Sequence, residues 1–558
     1  MISCDENPKA PVENPSQKVP EVNIEFTEIT PTCGINFKHE SGAYGEFFMP
    51  ETMGSGGAFL DYDKDNYQDI LLIGGGAWKK SEHQKVGTLR LYRNQGDGTF
   101  EETTQQMGLD KIKDYGFGAT VGDYDNDGDD DVYVTTLTEN LLLRNDGTKF
   151  TEVAQSAGVA GKAVWSTASI FMDVDKDGFL DLFVGNYVKW TQEIDRNIFC
   201  SLDGVNDNYC HPNLYEGEQG VFYYNNGDGT FSDQTKARGF TGVGDIAPMK
   251  TLGLAAIDFD QNGYPDLVFA NDMQPDLLFQ NRGDGTFQEV GTTAGIAYNR
   301  KGQPRAGMGI VVGDLDNSGF ESIVVGNFSR QPLSVYRSLP NGVFKDNAYT
   351  SKMGEASFLT LTFGLTLMDA DLDGDQDVFA ANGHVFTDIE KKAANIKYRQ
   401  TPHFFVNNGN GIFADKAAEI GGLFQENMVA RGSATADIDL DGDLDLLVTE
   451  NNGAVHLLRN DTESSHHFLR LLLKNPKGNA NAIDAKATLF YNGKKQMRRV
   501  KSSDSYLSQS EFPLTFGLGD AEKVDSLKID WGNGEVSVFE EVKVDKFYLV
   551  NTKLEEIN

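Results

Sequence analysis

The chain has 558 residues, with 49 Lys and Arg against 84 Asp and Glu, a formal net charge of −35. Phosphate binding needs a basic footprint, so this balance argues against nucleic acid or an anionic membrane surface as partner. No apolar run reaches the roughly 18 residues that a spanning helix needs, and 60 Gly with 36 Phe point to many short strands joined by tight turns.

Residues 1–20 open with "MISC" and continue as the Pro-rich polar tether "DENPKAPVENPSQKVPEV". Two readings stand: the remnant of a bacterial lipoprotein signal with Cys4 as the lipidated residue, or a start cut from a longer precursor, since no charged n-region precedes Cys4. On the first reading the protein meets a membrane only through that N-terminal lipid anchor.

The next feature is a repeat. "DYDKDNYQD" from Asp61 returns as "DYDNDGDDD" from Asp123, "DVDKDGFLD" from Asp173, "DFDQNGYPD" from Asp258, "DLDNSGFES" from Asp314, "DADLDGDQD" from Asp369 and "DIDLDGDLD" from Asp437. A small-residue strand such as "GFGATVGD" precedes each copy, and an apolar strand such as "DLFVGN" follows it. Then comes a strand, Gly-rich hairpin and strand, as in "LYRNQGDGTFEE". Each unit reads as a four-stranded antiparallel sheet, and seven such sheets are stable as a closed radial array. The expected fold is all-β: a seven-bladed β-propeller over 21–463, then a small β-rich domain over 464–558. Phe100, Phe150, Phe231, Phe287, Phe344 and Phe413 open the outer strand after six of the Asp loops, and the seventh loop lacks one. "IEFTEITPTCGI" from Ile24 has the texture of "GTFQEVGTTAGI", so this N-terminal strand is expected to complete the last blade and remove two exposed edges.

The spacing D-x-D-x-[DN]-G-x-x-D brings oxygens from positions 1, 3, 5 and 9 around one small volume, with a carbonyl near position 7 and Gly at 6 for the turn. Hard oxygen donors in that number suit calcium. The candidate ligands are Asp61, Asp63, Asp65 and Asp69 in loop 1; Asp123, Asp125, Asp127 and Asp131 in loop 2; Asp173, Asp175, Asp177 and Asp181 in loop 3. They continue with Asp258, Asp260, Asn262 and Asp266 in loop 4; Asp314 and Asp316 in loop 5; Asp369, Asp371, Asp373 and Asp377 in loop 6; Asp437, Asp439, Asp441 and Asp445 in loop 7. Loop 5 has Ser318 and Ser322 in the other places, so of up to seven Ca2+ sites it is expected to be the weakest or empty. The competing reading is a set of Asp-rich turns that bond their own backbone without metal. A helix-loop-helix calcium hand is excluded, because position 12 of loop 1 is Leu72 and the flanks are strands.

Cys200 and Cys210, ten apart in "CSLDGVNDNYC", are candidates for a disulfide in an oxidising compartment, with two buried thiols as the alternative. Long insertions at 74–87, 186–220 and 382–404 join second to third strands, and 238–250 and 291–307 join blades. All are expected on the face opposite the Asp loops. They carry Trp78, Tyr187, Trp190, Tyr209, Tyr215, Tyr298 and Tyr398 with Lys79, Lys80, Arg300, Lys301, Arg305, Lys391 and Lys392. Aromatics beside cations suit a glycan or protein ligand; the alternative is that the rings pin their own loops. No H-E-x-x-H, G-x-S-x-G, Walker loop or C-x-x-C occurs, and His39 in "NFKHESG" is the histidine to test, with a structural role as the alternative. The first functional reading is a calcium-binding protein of the cell surface or extracellular space that adheres or captures ligand and is not an enzyme. The second is an extracellular carbohydrate-active hydrolase or lyase using carboxylates on the loop-rich face.

The Asp loops resemble those of FG-GAP or VCBS propellers, whose best-known relatives are the integrin alpha heads. From His466 onward, "FLRLLLKNPKGNANAIDAKATLFYNGKKQMRRVKSSDSYLSQSEFPLTFGLGD" is similar to the ASPIC/UnbV module. Together with "FTEITPTCGINFKHESGAYGEFFMPETMGSGGAFLDYD" it resembles the cartilage acidic protein family, including its bacterial members. Where that module reads N-R-D-A-I-G-A, this chain has Asn479, Ala480, Asn481, Ala482, Ile483, Asp484 and Ala485; its W-P-x-G is Trp531, Gly532, Asn533, Gly534.

Overall fold

A computed structural model describes residues 23–78, 88–240 and 248–557. Seven four-stranded antiparallel sheets form the larger unit. Blade 1 runs through Gly57–Leu60, Asp69–Ile73, Leu89–Asn94 and Phe100–Glu102. Blades 2 to 6 occupy 116–152, 166–233, 251–289, 307–346 and 362–415 in the same strand order. First strands of successive blades pack side by side and so line a central channel. Their small residues, Gly116–Gly122 or Ala430–Ala436 for example, suit that crowding and are buried throughout.

Blade 7 combines Ala430–Ala436, Asp445–Glu450 and Val455–Asn460 with the N-terminal strand Phe26–Glu28. Phe26 pairs with Asn460 and Glu28 with Leu458, antiparallel. The ring is thus closed by the strand that its sequence texture singled out. Phe26 drives this closure: its ring lies 5.8 Å from Phe404 and 5.4 Å from Phe424, within a buried cluster with Phe379, Leu446 and Leu458. The recurrent Phe of the outer strand also ties blades together. The Phe100 amide donates to the Cys33 carbonyl at 2.7 Å, Phe150 to Met107 at 3.0 Å and Phe287 to Arg238 at 2.8 Å.

The C-terminal module is two further sheets. One is ordered Leu514–Gly519, His467–Leu473, Lys546–Val550, Leu554–Glu556; the other Lys494–Arg499, Lys486–Tyr491, Lys523–Asp530, Val536–Lys543. Leu469, Leu471, Leu489, Phe516, Leu527 and Ile529 form its core. The module sits on the Asp-loop face: Arg470 Nε lies 3.1 Å from Asp437, Lys486 Nζ bonds Asp258, and the Asp123 amide donates to Asn481 Oδ1 at 2.7 Å. Between its strands, residues 501–511 leave the module and enter the propeller channel, a feature that alternation in the sequence does not convey.

Candidate metal loops and the loop-rich face

Each Asp loop winds the same way. Position 4 is left-handed although it is never Gly, with φ 61° at Lys64, 59° at Asn126, 63° at Lys176, 57° at Gln261, 51° at Asn317, 58° at Leu372 and 60° at Leu440. Left-handed backbone costs such residues about 1–3 kcal/mol each and persists only where the surroundings enforce it. Position 6 is left-handed as well, at Asn66 (71°) and in the other loops at Gly, the residue for which the sequence provides.

The position-1 carboxylate enforces this winding. Asp123 accepts from the Asp127 amide at 3.1 Å and from the Gly128 amide at 2.8 Å, and Asp61, Asp173 and Asp314 make the matching pair. Position 9 is partly committed too: Asp131 accepts from Tyr124 N at 3.1 Å and from Asn145 N at 2.8 Å, as Asp69, Asp266, Asp377 and Asp445 do from their counterparts. Backbone donors therefore account for part of the carboxylate chemistry and leave a remainder. Asp63 Oδ1, Asp125 Oδ1, Asp175 Oδ1 and Asp439 Oδ1 at position 3, Asp369 Oδ1 and Asp437 Oδ1 at position 1 and Asp181 Oδ2 at position 9 are buried with no hydrogen-bond partner. In loops 1, 2, 3, 4 and 6, three carboxylates bring oxygens within 4.8 Å of one another.

Unpaired buried anions are costly. Burial, with neighbouring carboxylates adding repulsion, pushes Asp61, Asp123 and Asp173 up to about 7 and Asp69 up to about 9; Asp131, Asp181, Asp266, Asp377 and Asp445 are driven well above the carboxylate range for the same reason. A set of hard, converging oxygens that are hard to hold as bare anions fits a divalent cation of the calcium type. The pattern D-G-D in loops 2, 6 and 7 carries further donors that the 1-3-5-9 reading passed over. Asp443 at position 7 has a buried Oδ1 without partner and, through burial first and Asp441 second, is pushed up to about 9.

Loop 5 is different in kind. Arg337 pairs with Asp316, and the Arg498 guanidinium of the C-terminal module lies beside Asp314, opposing the upward push of burial. What sets loop 5 apart is its number of carboxylates, because Arg93 pairs in the same way with Asp63 and Asp65 of loop 1, and both Asp316 oxygens are buried without a hydrogen-bond partner.

A second residue recurs within the hairpin pattern. The Asn near the end of six of the seven third strands reaches into the preceding blade. Asn145 Nδ2 donates to Tyr62 O at 2.9 Å, Asn225 to Tyr124 O at 2.9 Å, Asn281 to Val174 O at 2.8 Å, Asn407 to Leu315 O at 2.8 Å and Asn460 to Ala370 O at 3.0 Å. Asn94 completes the circle on Ile438 O at 2.8 Å. Every acceptor is the position-2 carbonyl of an Asp loop, so the Asp loops are also the sockets of the blade-to-blade clamps. Blade 5 has Ser338 at this place. The same blade thus lacks both the full Asp set and the clamp, a coincidence visible in the sequence.

The opposite face is braced from within. Cys200 and Cys210 are disulfide-bonded, and Cys33 is a buried free thiol. Trp78, Tyr187 and Tyr215 are not a surface: they are 5%, 0% and 5% exposed. Trp78 stacks on Tyr115 at 4.9 Å, Tyr187 donates to Asp272 at 2.5 Å, and Tyr215 donates to Asp195. Arg305 is buried as well, held by Asp346 at 2.9 Å and Ser334 at 2.8 Å. These four rings and cations secure their own loops, because an internal carboxylate or ring meets each of them. Trp190, Tyr209 and Tyr398 are half-buried and Tyr298 is exposed; Trp190 donates to Asp195 at 2.6 Å and Tyr209 to Glu51 at 3.1 Å. Lys79, Lys80 and Cys4 lie outside the described residues. The insertion also exposes large apolar side chains: Phe199 is 66% exposed, Val205 78% and Leu214 55%. His39 is buried; it accepts from Asn452 N at 2.9 Å, and burial, then the charge of Arg431, holds it down to about 3, so it stays neutral.

Comparison with known proteins agrees with this architecture. The FG-GAP-like repeat model matches residues 61–134, 123–184, 258–325 and 369–448, and the ASPIC and UnbV model matches 475–556. Cartilage acidic protein 1 of Xenopus tropicalis is 26% identical over 296 residues, covering 51% of this chain and 42% of that protein; the Homo sapiens protein is 23% identical over 280 residues, covering 49% and 39%. The matches thus span about two fifths of those relatives' length. Among solved structures, BBS1N in complex with ARL6DN is 9% identical at a TM-score of 0.41, covering 78% of this chain and 96% of that one. An Agrocybe aegerita lectin is 14% identical at 0.40, covering 77% and 93%. At these TM-scores neither likeness bears on function. The chain belongs to the FG-GAP-repeat proteins that carry an ASPIC/UnbV domain and is homologous to cartilage acidic protein 1.

Proposed function

We propose that this is a calcium-stabilised binding protein of the cell surface or extracellular space, in which ions held by the Asp loops stiffen a ring that presents a protein or glycan ligand site on the loop-rich face. The metal reading is carried by the buried carboxylate oxygens without partners at positions 1 and 3, repeated around the ring. Extracellular calcium modules of this sort bind at roughly 10⁻⁴ to 10⁻³ M, which suits a calcium-rich compartment, as the disulfide does. Membrane attachment through Cys4 belongs to this proposal.

The ligand site we place on the disulfide-braced insertion. Asp203 accepts from the Val205 amide at 2.9 Å and from the Asn206 amide at 2.8 Å, a turn that holds Val205 outward. Phe199 and Leu214 flank the bridge. Rigid, exposed apolar side chains are what a binding anchor requires. A catalytic role finds little support. Asp195, Asp272 and Glu51 are occupied by tyrosine hydroxyls. In the line Thr360, His403, Asp415, with steps of 3.2 and 2.6 Å, the threonine hydroxyl also donates to Ser357 O at 3.0 Å. Replacing Phe199, Val205 and Leu214 together by Ser is expected to abolish capture of glycan or protein ligands on arrays while calcium affinity stays within twofold. Retained capture would remove the site from this insertion, and turnover of any polysaccharide would favour the hydrolase or lyase reading.

A further inference from the structure

Blades 3 and 5 each set a tyrosine of the third strand opposite an aspartate of the fourth: Tyr223 pairs with Asp233, and Tyr336 with Asp346. Their surroundings correspond residue by residue. Ser166 pairs with Asn186 where Gly307 pairs with Asn327, so Val164 and Arg305 both stand two residues before the first strand of their blade. In the preceding blades Asn140 matches Asp276, for Asn140 Oδ1 accepts from Thr136 N at 2.9 Å and Asp276 Oδ1 from Asn271 N at 3.0 Å.

In blade 5 the space in front of the pair is filled from within. Arg305 is 6% exposed and donates to Asp346 Oδ2 at 2.9 Å, to Ser334 Oγ at 2.8 Å and to the Tyr336 hydroxyl at 3.4 Å; the buried Asp276 carboxylate is a further charge beside it. Blade 3 has a valine at that place. Between blades 2 and 3, on the loop-rich face, lies a cavity of ≈530 Å³ lined by Asn140, Val164, Tyr223 and Asp233. The Tyr223 hydroxyl has no hydrogen-bond partner among the described residues. A Cβ on Gly161 would lie 3.4 Å from that hydroxyl and 3.6 Å from Asn140 Nδ2, so the two polar groups converge beside the glycine. Asp233 is exposed, and its internal bonds, from Thr235 N at 3.0 Å and the Thr235 hydroxyl at 2.6 Å, both go to Oδ1. At the rim, Lys162 and Lys236 are exposed and form no ion pair among the described residues.

The cavity therefore keeps the carboxylate and the phenol of a guanidinium site and lacks the arginine. A planar fork of donors is what a carboxylate flanked by a hydroxyl accepts best. The volume falls within the roughly 300–1,000 Å³ of small-molecule sites and exceeds what a guanidinium fills, which leaves room for the rest of an amino acid. The two rim lysines supply the charge for a carboxylate.

We infer that this cavity binds an arginine with a free α-carboxylate, either the amino acid itself or the last residue of a peptide. Its guanidinium takes the place against Tyr223 and Asp233 that Arg305 holds in blade 5, and its carboxylate meets Lys162 and Lys236. This rests on neither the metal nor the insertion reading.

The test is calorimetric titration of the full chain with L-arginine, the peptide Gly-Gly-Arg, the C-terminal amide of that peptide, and L-citrulline, which has a neutral ureido group in place of the guanidinium. L-Arginine or Gly-Gly-Arg is expected to bind once per chain, the tighter of the two telling a free amino acid from a peptide end. Citrulline is expected to bind at least tenfold more weakly than arginine, and the amide at least tenfold more weakly than the free peptide. Val164→Arg, which copies blade 5, and Asp233→Asn, which keeps the Oδ1 acceptor for Thr235 and removes the charge, are each expected to weaken binding at least tenfold. Binding of neither arginine probe, citrulline binding as tightly as arginine, or unchanged binding in Asp233→Asn would overturn the proposal.

Discussion

Removing one blade clamp should weaken the ring by an amount that the structure sets. Asn281 is fully buried; its amide donates to Val174 O at 2.8 Å and Pro265 O at 3.2 Å, and its Oδ1 accepts from Gly283 N at 2.9 Å. Asn281→Ala leaves two carbonyls and an amide without partners, and each such buried group costs about 1–3 kcal/mol. Solvent reaches the Gly283 turn, so about 3 kcal/mol is expected in total. Equilibrium guanidinium unfolding in saturating calcium, followed by tryptophan fluorescence, measures it. Ser338→Ala in blade 5 is the internal control, since no clamp exists there, and should fall within about 0.5 kcal/mol of wild type. An Asn281→Ala loss below about 1 kcal/mol, or equal losses at the two positions, would refute the clamp reasoning.

Ring closure should depend on pH through His456, which meets Glu28 of the N-terminal strand at 2.7 Å and Glu450 at 3.2 Å. Burial works against its charge, but the two carboxylates outweigh that and carry it up to about 9. A raised folded value means the stabilisation is complete below the unfolded value near 6.5 and is lost as pH climbs from there through 9, about 3 kcal/mol in all; His456→Gln should flatten the profile between pH 6 and 9.5. Asp371→Ala in loop 6 should remove one calcium from the stoichiometry read by native mass spectrometry, whereas Asp316→Ala in loop 5 should remove none, because Ser318 and Ser322 stand there in place of two carboxylate ligands.

What the sequence conveyed and what it withheld follow from range. The Asp loop is written in nine consecutive residues whose bonds are mostly internal, as between Asp123, Asp127 and Gly128, so its spacing could be read directly. Closure by Phe26–Glu28 was legible for a related reason: the strand repeats the local texture of the outer strands it replaces. Exposure has no such local signature. Trp78 is covered by Tyr115, and Tyr187 is bound to Asp272, 85 residues away, which is why aromatic-rich insertions read as a surface and are largely interior. The seating of residues 501–511 in the channel was hidden for the same reason. Ser, Gln and Tyr in "SSDSYLSQSE" look like a polar loop until seven strand edges from 57 to 435 surround them. The small residues of the first strands were visible, but the need for Gly118 lies in Leu507, 389 positions on.

On the proposed function, the Asp loops grip divalent ions and this grip holds the ring together. Thermal unfolding across a calcium titration, beginning in excess chelator, decides this. At tenfold excess over Kd each occupied site adds about 1.4 kcal/mol, so six occupied loops should stabilise the ring by about 8 kcal/mol and raise Tm steadily with calcium. A Tm that chelator and calcium leave unmoved would contradict the claim.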